Sequence, residues 1–176
     1  MVGNSASGKS TLSELLAARW RLPLRHIDRI FWKAGWRICN REEFACVHKT
    51  WIAESEWLIE GIGPWSELRE RLAAAEAIIF LNTPVEHCLE RAAQRMKDDA
   101  MTPNRFMADG CRYPDVVEQQ REIIARFELE TRPRLASVLR QEFFDKPQIV
   151  LDGRRTPDEL LADCEHQLTT DHRPKR

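Results

Sequence analysis

Short apolar runs alternate along the chain with stretches whose apolar residues recur every three or four positions. That alternation predicts an α/β fold with a mainly parallel sheet. Leu12, Leu15 and Leu16 mark one face of a helix predicted over 10–20. A short strand is predicted over 24–28, after Pro23. Asn40, with Glu43 three residues on, predicts a capped helix running to about 55. A strand over 57–60 is closed by Gly61, and the continuous apolar run at 77–82 predicts a strand buried on both faces. Thr83-Pro84-Val85-Glu86 predicts a helix start, with a helix to about 96. Residues 98–114 are polar and turn-rich and read as a mobile segment. A long helix is expected from Asp115, broken or kinked by Pro133, with a second helix to about 144. A last strand is predicted over 148–152, and Thr156-Pro157-Asp158-Glu159 opens a final helix to about 168. The expected organisation is one domain over 1–170, a lid region roughly 91–134, and a polar tail over 171–176.

Composition narrows the class. The chain has 176 residues, 43% hydrophobic and 31% charged, as in an ordinary globular domain. No apolar run reaches the ~20 residues that span a bilayer, and Lys9 and Ser10 fall where a signal peptide would be apolar. The expected location is the cytoplasm, without membrane association. A net charge of -1 and a pI of about 6.5 argue against generic nucleic-acid binding. The five scattered cysteines match no zinc spacing and read as free thiols of a reducing compartment.

Candidate chemistry begins at residue 3. Gly3-Asn4-Ser5-Ala6-Ser7-Gly8-Lys9-Ser10 fits G-x-x-x-x-G-K-[ST] completely. Glycines let such a loop curl so that backbone N–H groups converge on an anion. The helix that follows adds its positive dipole end. Lys9 is expected on the β- and γ-phosphates of ATP, Ser10 on Mg²⁺, and Thr11 on a further phosphate oxygen. Only Met1 and Val2 precede Gly3, whereas a loop of this kind follows a buried strand. A start site upstream of Met1 is the expectation.

Phosphoryl transfer also needs acids and cations around the phosphates. Asp28, at the predicted end of a parallel strand, is the candidate to orient or deprotonate an acceptor, or to hold a metal-bound water. Glu60 ends W-L-I-E-G in the position of a metal-anchoring carboxylate. Arg91 and Arg95 lie four apart on one helix face and precede Arg105, Arg112, Arg126, Arg132 and Arg134. At least one of these is expected to act on phosphate. Trp32 and Trp36 follow Asp28 in a loop, where they either stack on a substrate ring or form a satellite core. Trp51 and Trp57 read as core, and His26 as a packed, hydrogen-bonded residue.

The stretches G-N-S-A-S-G-K-S-T-L, H-I-D-R-I-F-W-K-A-G-W, R-E-E-F, W-L-I-E-G, I-I-F-L-N-T-P, A-D-G-C and T-R-P-R-L carry a resemblance. Over 3–135 the chain resembles the small P-loop proteins described as adenylate-kinase-like, or as DNA topology modulation proteins of the FlaR type. The resemblance implies a P-loop fold of the nucleoside/nucleotide-kinase type: about five parallel strands, helices on both faces, and a small lid. It implies binding of ATP with Mg²⁺, phosphate contacts from Gly3 to Thr11, and an acceptor-site or metal-network role for Asp28. Where the group has W-V-I-D-G-N-Y, this chain has W-L-I-E-G-I-G, so Glu60 replaces an Asp. Two functions are open at this point. One is a small kinase acting on a nucleotide or hydroxylated metabolite. The other is an ATP-dependent regulatory or DNA-associated NTPase with no small-molecule acceptor.

Overall fold

The computed structural model describes residues 1–101 and 104–171. Residues 102–103, inside the expected lid, and 172–176 of the expected tail lie outside the described residues. The chain begins with β1 (Val2–Gly3), α1 (Lys9–Trp20), β2 (Leu24–His26), α2 (Ile27–Phe31), β3 (Trp32–Lys33), β4 (Arg37–Ile38) and α3 (Arg41–Ile52). It continues through β5 (Leu58–Glu60), α4 (Trp65–Ala74), β6 (Ile78–Asn82) and α5 (Val85–Met101). A 3₁₀ turn (Tyr113–Val116), α6 (Val117–Arg126), a π-helical turn (Phe127–Thr131), α7 (Arg132–Glu142), β7 (Gln148–Asp152) and α8 (Pro157–Asp171) complete it.

Five parallel strands form the framework. β1 pairs with β6, β6 with β7, and β2 with β5. Met1 joins the two groups: its nitrogen donates to Ile59 O at 2.7 Å, and its carbonyl accepts from Gly61 N–H at 3.1 Å. The spatial order is therefore β2-β5-β1-β6-β7, with the two-residue β1 in the middle. The parallel α/β sheet expected from the sequence is present.

Alternation along β6 sends its side chains to two cores. Ile79 and Leu81 pack with Leu12 and Leu16 of α1 and Leu160 of α8. Ile78 packs on the opposite face with Leu68 and Leu72 of α4 and Leu135 of α7. The sheet is thus covered on both sides, as a parallel sheet requires. No helix among the described residues is long and apolar enough to cross a membrane.

Several local expectations change. The strand expected to 28 stops at His26, and Asp28 sits in the first turn of α2. Burial of Ile27 against Phe44 and Ile59 turns the chain inward there. Asn40 Oδ1 does cap α3, accepting from Glu42 N–H at 2.7 Å and Glu43 N–H at 3.3 Å. The Glu43 carboxylate does not reach back to the cap; it pairs with Lys33. The Thr83 hydroxyl donates to Ser7 O at 2.9 Å instead of serving only its own helix. Helix α5 runs five residues past its expected end, to Met101, so the segment expected to be mobile from 98 begins as helix. Pro133 falls in the first turn of α7, where its missing N–H is tolerated, and the irregularity appears just before it as the π turn. The capping box at α8 forms as expected: Thr156 N–H donates to Glu159 Oε2 at 2.9 Å, and Glu159 N–H to Thr156 Oγ1 at 3.4 Å.

Candidate active site

The loop between β1 and α1 is held by hydrogen bonds from three directions. Within it, Ser7 N–H donates to Asn4 O at 3.3 Å and Ser5 N–H to Asn4 Oδ1 at 2.7 Å. Toward α6, Asn4 Nδ2 donates to Ile124 O at 3.0 Å and Ser5 Oγ to Gln120 Oε1 at 3.1 Å. Toward α5, the Ser7 carbonyl accepts from Thr83 Oγ1 and from Arg91 Nη1 at 2.7 Å. Gly8 has φ 99° and no side chain to cap α1, so the chain enters the helix through a left-handed residue that L side chains resist. The unpaired amides of the first turn of α1 thereby open onto the recess that the loop lines.

Four charged or polar side chains converge behind that recess. Lys9 Nζ donates to Asn4 O at 3.2 Å and lies 4.0 Å from Glu60 Oε2. Glu60 Oε1 accepts from Ser10 Oγ at 3.1 Å and lies 2.8 Å from His26 Nδ1. Burial pushes the Glu60 carboxyl up, but the His26 hydrogen bond, the Lys9 charge and Ser10 together outweigh it and hold the pKa down at about 2. Asp28 lines the same recess, and its pKa is raised. Burial is the chief cause and the Glu60 charge adds to it, while Lys9, Arg95 and His26 oppose it. One recess therefore holds a firmly ionised carboxylate and one inclined to take a proton.

Glu60 Oε2 is buried and has no hydrogen-bond partner. An orphaned carboxylate oxygen on the group that also binds the Ser10 hydroxyl fits a small hard cation. Among the described residues no three His, Cys, Asp or Glu side chains form a self-sufficient metal cage.

Two cavities flank the recess. One of about 500 Å³ is lined by Gly8, Thr11, Arg91, Arg95, Phe106, Arg155 and Pro157. The other, about 490 Å³, is lined by Lys9, Asp28, Trp32, Trp36, Trp65 and Tyr113 among others. Phe106, Met107 and Tyr113, which follow α5, wall the recess between them.

Lys9, Ser10, Asp28, Glu60 and Arg95 are thus brought together. Arg95 Nη1 donates to Tyr113 Oη at 2.9 Å while lining the recess. Arg91 is used differently: its guanidinium donates to two backbone carbonyls, Ser7 O and, at 2.8 Å, Gly153 O. Arg126 and Arg132 pair with Glu130 and Glu128. Arg134 lies 4.0 Å over the Trp65 ring, and Arg105 pairs with Glu14 at 2.5 Å. His26 is packed and hydrogen-bonded as expected, and its partner is Glu60. Tyr113, Phe106, Met107 and Gln120 escaped sequence reasoning. The one available signal was Tyr113, the chain's single tyrosine, set in a polar stretch.

No protein-family model matches the chain. No curated protein sequence matches it either. Solved structures do. A shikimate kinase from Acinetobacter baumannii in complex with shikimate superposes with TM-score 0.63 at 18% identity, covering 99% of this chain and 93% of that one. A gluconokinase from Sinorhizobium meliloti gives 0.57 at 16% identity, covering 96% and 90%. A sugar kinase from Janibacter sp. gives 0.56 at 16% identity, covering 96% and 91%. Likeness at such identity concerns architecture, and the architecture is the α/β fold shared by P-loop kinases of small molecules.

Proposed function

We propose that this chain is a small P-loop kinase that transfers the γ-phosphoryl group of ATP to a hydroxyl of a small acceptor, a nucleotide or another metabolite. The observation that carries the reading is the recess itself. Lys9, Ser10 and Asp28 line it, Glu60 stands behind Lys9 and Ser10, and a separate cavity opens on each side. A plain NTPase needs only one of those cavities. The kinase fold of the solved relatives, and the adenylate-kinase-like motifs, support the same reading.

In this reading ATP lies over Gly3 to Thr11, with its nucleoside in the cavity beside Arg155 and Pro157. The lid region, roughly 91–134 of a single domain over 1–170, closes the site against water. Asn4, Ser5, Ala6, Ser7 and Gly8 present the loop backbone to the phosphates. Ser10 and Glu60 would hold Mg²⁺, which would supply charge neutralisation to the phosphates. Asp28 takes the proton of the acceptor hydroxyl as its oxygen bonds to the γ-phosphorus, and the bond to the β-phosphate oxygen breaks to release ADP. Lys9 and Arg95 stabilise the charge that spreads over the transferring group. Arg91 acts on the loop rather than on the phosphate. The setting is the cytoplasm, where ATP and Mg²⁺ abound.

The test is a titration of Mg·ATP by tryptophan fluorescence on the wild type and on Lys9→Ala, followed by a screen for acceptor-dependent ADP release. The expected result is binding that Lys9→Ala abolishes and turnover that one acceptor class stimulates. Binding accompanied only by slow, acceptor-independent hydrolysis, or by salt-sensitive DNA binding, would favour the regulatory, DNA topology modulation reading instead.

A further inference from the structure

The acceptor-side cavity has a chemistry of its own. Its wall is aromatic: Phe31, Trp32, Trp36, Trp65, Tyr113 and Phe127 all line it. Phe31–Trp32, Trp32–Trp36 and Trp36–Tyr113 meet edge to face, at centroid distances of 4.9, 5.4 and 5.5 Å. Trp36 sits at φ 58°, a conformation that disfavours a bulky residue. It is pinned there by its indole N–H, which donates to Arg112 O at 2.9 Å. Trp32 and Trp36 pack on buried Met107, Cys111 and Tyr113, the satellite core that was one of the two expectations, and the fold tolerates local strain to hold an indole between that core and the cavity.

The charges lining the cavity cancel. Lys9 belongs to the phosphate recess, where its Nζ lies 4.0 Å from Glu60 Oε2. Arg126 is paired with Glu130 at 3.4 Å, and both line the cavity. Arg134 faces the Trp65 ring and is not among the lining residues. An acceptor carrying a carboxylate or phosphate would need uncompensated cations, and forked arginines usually provide them. A flat ring, in contrast, gains from every aromatic face it meets.

Resting on the kinase reading above, we infer that the acceptor is an uncharged hydroxyl compound bearing a flat aromatic ring, the chemistry of a nucleoside rather than of a nucleoside monophosphate or a sugar acid. The ring lies against the tryptophan wall and the hydroxyl reaches Asp28.

The experiment measures ADP release from Mg·ATP by the full chain against three panels: five common nucleosides, their 5′-monophosphates, and the carboxylates shikimate and gluconate. At least one nucleoside is expected to raise turnover tenfold or more, and the anions to leave it at the basal rate. Trp65→Leu is expected to raise the KM for that nucleoside about tenfold, from lost stacking, with the KM for ATP unchanged. Glu130→Ala, at an exposed position, frees Arg126 and is expected to admit monophosphates. Stimulation by a monophosphate or a carboxylate but by no nucleoside overturns this inference and leaves the kinase reading standing. Bound Mg·ATP with no stimulation by any nucleoside overturns this inference, and a folded chain that does not bind Mg·ATP at all defeats the kinase reading.

Discussion

Burial acts on Asp28 and Glu60 with opposite outcomes, although both carboxylates serve one recess. Glu60 is compensated by His26, Lys9 and Ser10 and stays ionised down to about pH 2. Asp28 has weaker compensation and feels Glu60 as a like charge, so its pKa rises above the ordinary 3.8. A base works only when deprotonated. With Asp28 as the proposed base, activity should be full above its raised pKa and lost as pH falls through it. The acid limb of kcat/KM should accordingly lie above pH 3.8. A limb at or below that value would remove Asp28 as the base. Asp28→Asn should lower kcat by about 10²–10⁴-fold, with Mg·ATP affinity, read by calorimetry, within about twofold of wild type.

At the scale of elements, the loop between β1 and α1 depends on neighbours distant in sequence. Arg91 bridges Ser7 O and Gly153 O, joining the loop to the turn after β7. Charge-assisted bonds of this kind are worth about 2 kcal/mol. Arg91→Met should therefore weaken ATP binding by roughly thirtyfold while kcat at saturating ATP changes little. A collapse of kcat would instead put Arg91 on the transferring phosphate. Gly153 is the second joint. A Cβ there would lie 1.7 Å from Thr83 Oγ1 and 3.1 Å from Thr83 Cα. Gly153→Ala should displace the Thr83 hydroxyl from Ser7 O and destabilise the fold by about 1–3 kcal/mol, measured by urea unfolding. An unchanged midpoint would mean that this contact is soft.

Across the whole molecule, one weak point is a buried polar group beside Phe44, which packs with Ile27, Cys39 and Ile59. His48 is fully buried, stacks on Phe44 at 5.9 Å, and neither ring nitrogen has a hydrogen-bond partner. Burial, with the Arg71 charge adding and Glu67 opposing, lowers its pKa from 6.5 to about 4. The unfolded chain then takes a proton at a pH where the folded chain refuses it. Stability is full above pH 6.5, falls as pH drops from 6.5 to about 4, and levels off below. The loss over that window should be about 2–3 kcal/mol. His48→Leu should flatten it in denaturant melts at pH 7 and pH 4.5. A wild-type profile already flat there would rule the effect out.

The sequence by itself settled the fold class and most strand and helix cores, and its glycine-lysine motif marked the candidate phosphate loop. Those signals are local: periodicity, caps and eight consecutive residues. It also named Lys9, Ser10, Asp28, Glu60 and Arg95 as site candidates, because loops and strand ends of a parallel sheet bring such residues to one edge. It missed helix α4 and the β3–β4 hairpin, whose short pieces are decided by packing against elements far away. Only the tertiary structure separated Arg91 from Arg95, four residues apart on one face, because their difference lies in what stands opposite: backbone carbonyls for one, a tyrosine and the recess for the other. It alone brought His26 to Glu60 and built the tryptophan wall, since those contacts join residues 34 and 77 positions apart, such as His26 to Glu60 and Trp36 to Tyr113. Spacing along the chain carries no record of such distances; they are set when the cores close and the sheet fixes its strand order.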